Sequence, residues 1–277
     1  MSTILEQIVK TKRQEVLERQ AAVSLDQLKE TITTLGRPRN FFHAITQPPR
    51  KAVNVIAEIK KSSPSAGVIR ADFDPVEIAR KYAAAGADAL SVLTDETYFH
   101  GKLEYIHAVR DAVKLPVLRK DFIIDPYQVY ESRAAGADAI LLIAECLETS
   151  QMIDLQILAT ELNLTCLIEV HDMDNLMRVR DHVIGFPHRS YSLLGINNRD
   201  LRTFKVDLGT TLRLAELVED RTVLVSESGI KSREDVVKLV ASGVRAALVG
   251  ETLMRSDDVA STMKALFSPV PKDDQPS

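Results

Sequence analysis

An α/β fold, a closed (β/α)8 barrel (TIM barrel) preceded by an extra N-terminal helical segment, is predicted by three observations. From residue 53 onward, apolar strand-like runs alternate eight times with helical patterns, at spacings of about 22–35 residues. The chain has 277 residues, long for an average domain but ordinary for one such barrel. It also echoes itself: Ala84-Ala85-Gly86-Ala87-Asp88-Ala89 returns as Ala134-Ala135-Gly136-Ala137-Asp138-Ala139, and more loosely as Ala241-Ser242-Gly243-Val244-Arg245-Ala246. Each Gly falls where a helix ends and a strand begins, the place where a left-handed residue closes a helix. A doubly wound open sheet would use fewer strands and a Gly-rich phosphate loop after the first, and that loop is missing from the sequence.

The leader, residues 1–50, comes first. Ile4, Leu5, Ile8, Val9, Val16 and Leu17 recur at helical spacing among charges, predicting a helix over 3–20. Ser24 is an N-cap candidate for a second helix to about residue 35, ended by Gly36-Arg37-Pro38. Asn40-Phe41-Phe42-His43-Ala44-Ile45 and a Pro48-Pro49 break then lead into the barrel, residues 51–268. Strands are expected near 53–60, 88–94, 115–120, 137–143, 164–170, 192–197, 222–227 and 244–250. Helices are expected over 75–86, 102–113, 126–136, 149–162, 172–180, 209–219, 232–242 and 256–267. Residues 269–277, rich in Pro and charge, read as a disordered tail.

Composition narrows the function classes. Apolar residues make up 45%, enough for a large core, yet no run reaches the ~18 apolar residues of a membrane helix. A net charge of −4 argues against bulk nucleic-acid binding. The first residues lack a basic stretch followed by an apolar one, so no export is expected. Cys146 and Cys166 sit in apolar surroundings and read as core residues, and the six His lack metal-ligand spacing. A cytoplasmic protein without a metal is the expectation.

In this fold, chemistry gathers at the C-terminal ends of the strands. Strand one ends in Glu58 and Lys60, two apart and therefore on one side. Strand three ends in Lys120, followed by Asp121-Phe122; strand five carries Glu169. Strand six ends in Asn197-Asn198-Arg199-Asp200, strand seven in Glu227-Ser228-Gly229, and strand eight in Gly250-Glu251. Each charge alone reads as a solvated side chain or a cap partner. Together, Glu58, Lys60, Lys120 and Glu169 form a set able to shift its own pKa values, as acid–base chemistry requires. Gly229 and Gly250 allow the backbone to approach an anion after strands seven and eight, the usual phosphate side of the fold. The residues therefore point to a sugar-phosphate-like substrate, proton transfers and no metal.

Those motifs are also familiar. Glu58-Ile59-Lys60-Lys61-Ser62-Ser63-Pro64-Ser65, Leu118-Arg119-Lys120-Asp121-Phe122, Leu167-Ile168-Glu169-Val170, Gly195-Ile196-Asn197-Asn198-Arg199-Asp200-Leu201, Glu227-Ser228-Gly229-Ile230 and Leu248-Val249-Gly250-Glu251-Thr252-Leu253-Met254 together resemble the indole-3-glycerol phosphate synthase family of tryptophan biosynthesis. The resemblance runs from the leader to about residue 267. It implies closure of the ring of an anthranilate-derived deoxyribulose phosphate, with loss of CO2 and water and without a cofactor. By resemblance, Lys120 matches the general acid, Glu169 the base for dehydration, and Lys60 the lysine that holds the anthranilate carboxylate. Glu58 and Asn197 match orienting residues, and Ser228 completes the catalytic set. Ser63, Gly229, Gly250 and the amide of Glu251 match the phosphate side, Phe99 and Phe122 the walls for the aromatic ring, and Arg199 and Glu227 further substrate contacts. The leader, with Asn40–Ile45, resembles the family's extra segment that helps cover the mouth.

Two departures stand out. Some members carry Ser where this chain has Glu251, so the side chain is expected to turn away while its N–H binds. The link over 181–191 is longer than usual, but it enters a strand from a helix and so lies on the stability face. A phosphoribosylanthranilate isomerase reading would want a Cys or Asp acid–base pair, and a dead ligand-binding barrel would have lost the strand-end charges; neither fits these residues. The implied partner is the small phosphorylated substrate, with no nucleic acid or membrane. The chain is expected to be a monomer, with at most weak association with other enzymes of the pathway.

Overall fold

The structure, a computed structural model, describes residues 3–183, 192–200 and 203–271. Eight parallel strands close on themselves: β1 (Asn54–Ile59), β2 (Ala89–Leu93), β3 (Val117–Lys120), β4 (Ala139–Ile143), β5 (Thr165–Val170), β6 (Ser192–Asn197), β7 (Leu224–Glu227) and β8 (Ala246–Val249). Each pairs with its neighbour in sequence, and β8 closes onto β1 with Ala57 opposite Val249. Three helices precede the barrel: α1 (Ile4–Ala22), α2 (Leu25–Thr34) and α3 (Phe41–Thr46). The crossover helices are α4 (Pro75–Ala84), α5 (Glu104–Ala112), α6 (Pro126–Ala134), α7 (Thr149–Glu161), α8 (Met173–Val179), α9 (Gly209–Ala215) and α10 (Arg233–Ala241); α11 (Glu251–Met254) and α12 (Val259–Phe267) follow β8. No helix among the described residues is long and apolar enough to cross a membrane.

Local chemistry sets these boundaries. Thr3 with Glu6, and Ser24 with Gln27, form reciprocal caps that start α1 and α2. Asp74 and Asp125 cap α4 and α6, each followed by a Pro in the first turn, where no N–H is needed. The repeated Asp has a structural use. Asp88 Oδ2 accepts the Val55 N–H at 2.7 Å, and Asp138 Oδ2 accepts that of Val117 at 2.8 Å. Each carboxylate thus fastens the start of one strand to the next, and Gly86 and Gly136 supply the left-handed turns that place it.

Alternation then sorts the side chains. Val55, Ala57 and Ile59, like Ile168 and Val170, pack outward against the helices. Ile56, Leu118, Leu141, Leu167, Leu193, Val225 and Leu248 point inward and fill the barrel. Glu58, Lys120, Glu169, Gly195, Glu227 and Gly250 each lie two residues beyond one of these, so they stand inward on the apolar floor.

The leader divides between the two ends of the barrel, which differs from the expectation for Asn40–Ile45. Ile4, Leu5 and Ile8 of α1 reach the mouth. Phe41 and Ile45 of α3 are wholly buried at the opposite end, where Asn54, the first residue of β1, donates to the carbonyls of Ile45 and Gln47. The pair of adjacent Phe residues is a floor plug, not a cover, because a barrel needs apolar closure where its strands begin. Helix α3 was not expected, being only six residues long, too short for its periodicity to show. The last helix begins at Val259, three residues later than expected, because the short α11 intervenes. The 181–191 link lies outside the described residues from 184 onward, as does the tail from 272.

Candidate active site

One cavity of about 510 Å³ opens at the C-terminal ends of the strands, the size of a small-ligand site. All fourteen candidate residues line it: Glu58, Lys60, Ser63, Phe99, Lys120, Phe122, Glu169, Asn197, Arg199, Glu227, Ser228, Gly229, Gly250 and Glu251. They arrive from seven of the eight strands and the loops after them, every one except β4.

The charges are paired across strands. Lys60 bonds the Glu58 carboxylate beside it. Lys120 Nζ lies 2.5 Å from Glu169 Oε2 and 3.1 Å from Glu227 Oε2. Asn197 Nδ2 donates to Glu169 Oε1 at 3.2 Å. Two glycines make room for this arrangement. A Cβ on Gly195 would sit 2.2 Å from Glu227 Oε1, and one on Gly250 would sit 2.2 Å from Glu58 Oε2. Gly250, expected as part of an anion grip, thus also seats a carboxylate.

Burial in this cluster penalises every charge, so partners decide each outcome. Burial works to lower the Lys120 pKa, but Glu169, then Glu227 and Glu58, lift it well above the usual lysine value. Burial works to raise Glu169, but Lys120 and then His171 hold it below the usual carboxylate range. Glu227 goes the other way: burial raises it, and Lys120 lowers it by less than burial and the neighbouring Glu169 together raise it. Two carboxylates around one ammonium cannot both be easily ionised, so a proton is held among these three groups.

The other half of the mouth is built from backbone. Ser228 and Gly229 both adopt positive φ, 64° and 81°, which for a serine is uncommon. The loop after β1 forms a small hairpin, Ser62–Ser63 with Gly67–Val68. Arg199 reaches across to Ser65 Oγ at 3.2 Å and lies 3.7 Å from Glu251. Glu251 is also tied to Arg255 at 3.0 Å. The carboxylate that seemed out of place beside an anion is therefore held between two guanidinium groups that offset its charge. Phe99 and Phe122 stand with ring centroids 6.1 Å apart and form an apolar wall.

Several lining residues were not singled out in the sequence. Ile4, Leu5 and Ile8 of α1 extend the apolar side, and Phe204, Val206, Lys231 and Arg255 come from loops whose path the sequence does not dictate. Behind Glu169 lie His171 and Glu145, also missed; the spacing of two between Glu169 and His171 was the available signal.

The family model described as indole-3-glycerol phosphate synthase matches residues 5–266. A protein of that name from Acidithiobacillus ferrooxidans is 49% identical over 268 residues, 96% of this chain and 99% of the relative. One from Neisseria gonorrhoeae is 49% identical over 96% of this chain and all of the relative, and one from Rhodopirellula baltica is 47% identical over 96% and 99%. Among solved structures, a thiamine phosphate pyrophosphorylase from Pyrococcus furiosus superposes with a TM-score of 0.56 at 16% identity, covering 78% of this chain and 94% of that one. That likeness concerns the fold alone.

Proposed function

The chain belongs to the indole-3-glycerol phosphate synthase family, and from that premise we propose how its own residues carry the reaction. The chain is a decarboxylating lyase of tryptophan biosynthesis. It converts 1-(2-carboxyphenylamino)-1-deoxyribulose 5-phosphate to indole-3-glycerol phosphate, CO2 and water.

The substrate carries a phosphate at one end and a carboxylate-bearing aromatic ring at the other. Ser63, the amides around Gly229 and Gly250, and the N–H of Glu251 receive the phosphate, with Arg199 nearby. Phe99 and Phe122 hold the ring, and Lys60, oriented by Glu58, meets its carboxylate. The ring carbon that bears the carboxylate attacks the ketone carbon while Lys120 gives its proton to the ketone oxygen. The new C–C bond leaves an iminium beside the carboxylate, and loss of CO2 returns the electron pair to the ring. Glu169 then takes a proton from the carbon next to the hydroxyl-bearing one, and hydroxide leaves as water on reprotonation. Asn197 holds Glu169, and Ser228 and Glu227 stand against the reacting part of the chain.

The observation that supports this division most is the place of Lys120, charged and held between Glu169 and Glu227. A lysine so stabilised keeps its proton until a basic oxygen forms within reach, and its neighbours then decide where the next proton goes. The leader completes the site as a cover through α1, whose Ile4, Leu5 and Ile8 close the apolar side. Both cysteines are free thiols, in keeping with the cytoplasm. Purified protein mixed with the carboxyphenylamino-deoxyribulose phosphate should develop indole fluorescence and release one CO2 per product. Folded protein that yields neither would refute the assignment.

A further inference from the structure

His171 is a buried titratable side chain next to the site that the reaction scheme leaves unused. It follows β5, two residues after Glu169, and does not line the cavity. Its side chain is 8% exposed. Nε2 lies 3.3 Å from Glu169 Oε1, and Nδ1 lies 3.1 Å from Glu145 Oε2. Glu145 is itself fixed, because its Oε1 accepts the backbone N–H of His171 at 3.0 Å. The turn that carries it, Ala144–Cys146, is gripped through the carbonyls of Ala144 and Leu147 by Arg178. The groups therefore stand in a row: Lys120, Glu169, His171, Glu145.

A neutral imidazole has one N–H and one lone pair. Placed between two carboxylate oxygens, it can donate to only one and must turn its lone pair on the other. Neither ring nitrogen has a well-aligned hydrogen-bond partner, so both contacts are charge contacts, and only the imidazolium makes both favourable. We propose that His171, held by Glu145, is a positioning residue for Glu169: as an imidazolium it fixes Glu169 Oε1 and keeps that carboxylate ionised and free to act as the base. The proposal rests on Glu169 being the base of the dehydration step. The groups facing the ring agree in sign. Burial lowers its pKa, but Glu145 from the turn after β4, Glu169 on its own strand and Glu227 from β7 raise it above the usual value. Lys120 on β3 is separated from the ring by Glu169, and burial keeps the Cys146 thiol beside Glu145 neutral.

Three variants test this: His171→Ala, His171→Gln and Glu145→Gln. For each, kcat and KM are measured against pH, and the Glu169 carboxyl carbon is titrated by NMR. Loss of the ring should lower kcat by about 10–100-fold with KM nearly unchanged, and raise the acid limb of kcat by about one pH unit, the effect of removing one adjacent cation. His171→Gln keeps an N–H donor without the charge. It should recover much of kcat on the plateau while the acid limb and the Glu169 titration stay displaced upward. Glu145→Gln should displace both in the same direction by less. An active enzyme whose acid limb and Glu169 titration are unmoved in His171→Gln and Glu145→Gln would overturn the positioning role. A displaced Glu169 titration in protein that turns over no substrate would sustain the positioning and overturn the reaction assigned to the site.

Discussion

Lys120 and Asp121 are consecutive residues, yet they belong to two different buried charge clusters. Lys120 faces the cavity with Glu169 and Glu227. Asp121 faces α1, where it takes Lys12 at 2.9 Å, Arg119 at 3.0 Å, Thr94 Oγ1 at 2.6 Å and its own neighbour's N–H, Phe122, at 2.8 Å. Lys12 is also paired with Glu15 and Asp95, and Arg119 with Glu131. In this second cluster every carboxylate oxygen has a hydrogen-bond donor except Asp95 Oδ2, which has only its ion pair with Lys12. Asp121 is drawn well below the usual carboxylate range despite burial, by Lys12 and Arg119, and Lys12 is lifted by Asp121 and Asp95. Asp95 is raised by burial, but its Oδ1 accepts the N–H groups of Tyr98 and Phe99. In the cavity cluster, Glu227 has an ion-pair partner but no well-aligned donor on either oxygen. A saturated cluster pins the leader helix to the barrel. An unsaturated one stores a proton and an unmet acceptor, which is what chemistry needs and folding does not.

Four experiments can break or sharpen that contrast. The largest effect is expected from Lys120→Ala, with kcat lower by about 10²–10⁴-fold and KM within a few-fold, the range for a lost general acid. Steady-state rates read by indole fluorescence check this, and near-wild-type turnover would remove Lys120 as the acid. Lys12→Met comes next. Removing one partner of a buried ion pair costs about 3–5 kcal/mol, or about 10 °C in Tm at the few degrees per kcal/mol of a chain this size. Calorimetry should show that fall while kcat at 20 °C, where the protein is still folded, stays within about threefold.

Gly250→Ala and Gly195→Ala place a methyl 2.2 Å from Glu58 or Glu227, so the carboxylate must move. Overpacking of this kind costs about 1–3 kcal/mol; kcat should fall by more than the Tm shift alone explains, and equal losses would make these glycines structural only. The smallest effect is on pH dependence. Glu227's folded pKa lies above its unfolded value of ~4.3, so the folded state binds the extra proton between the two values. Stability from that proton is full below ~4.3 and is lost as pH rises through the folded pKa. Asp121 has the opposite sign, with its stability present above ~3.9 and lost as pH falls through its depressed pKa. Tm should therefore decline gently from pH 5 to pH 9 in wild type and be flatter in Glu227→Gln. A wild-type Tm that rises over that interval would contradict the raised Glu227.

The strands and the mouth were legible because both depend on alternation. Once Glu58, Lys120 and Glu169 are placed two residues beyond inward apolar residues, the barrel brings them together without further information. The anchor was not legible. Lys12 lies on the same face of α1 as Ile8, four residues on, but a lone Lys on a helix reads as solvated until the partner strand is known. His171 was missed for the same reason: its meaning depends on Glu145, which comes from the turn after a different strand and has no sequence spacing to it. The role of Gly195 was hidden as well, because a glycine within a strand signals close approach without naming what approaches. Asn40–Ile45 was read as part of the cover because the leader resembles the family's extra segment, and sequence does not say which end of a barrel a leader reaches.

The contrast between the clusters is tested most directly by measuring Tm and kcat together at pH 8 on Glu227→Gln and Lys12→Met. Opposite signs are predicted: Glu227→Gln should melt above wild type and turn over at least about tenfold more slowly, and Lys12→Met should melt lower and retain its kcat. If Glu227→Gln melts below wild type with kcat intact, or Lys12→Met keeps its Tm and loses kcat, the division into a chemical cluster and an anchoring cluster is wrong.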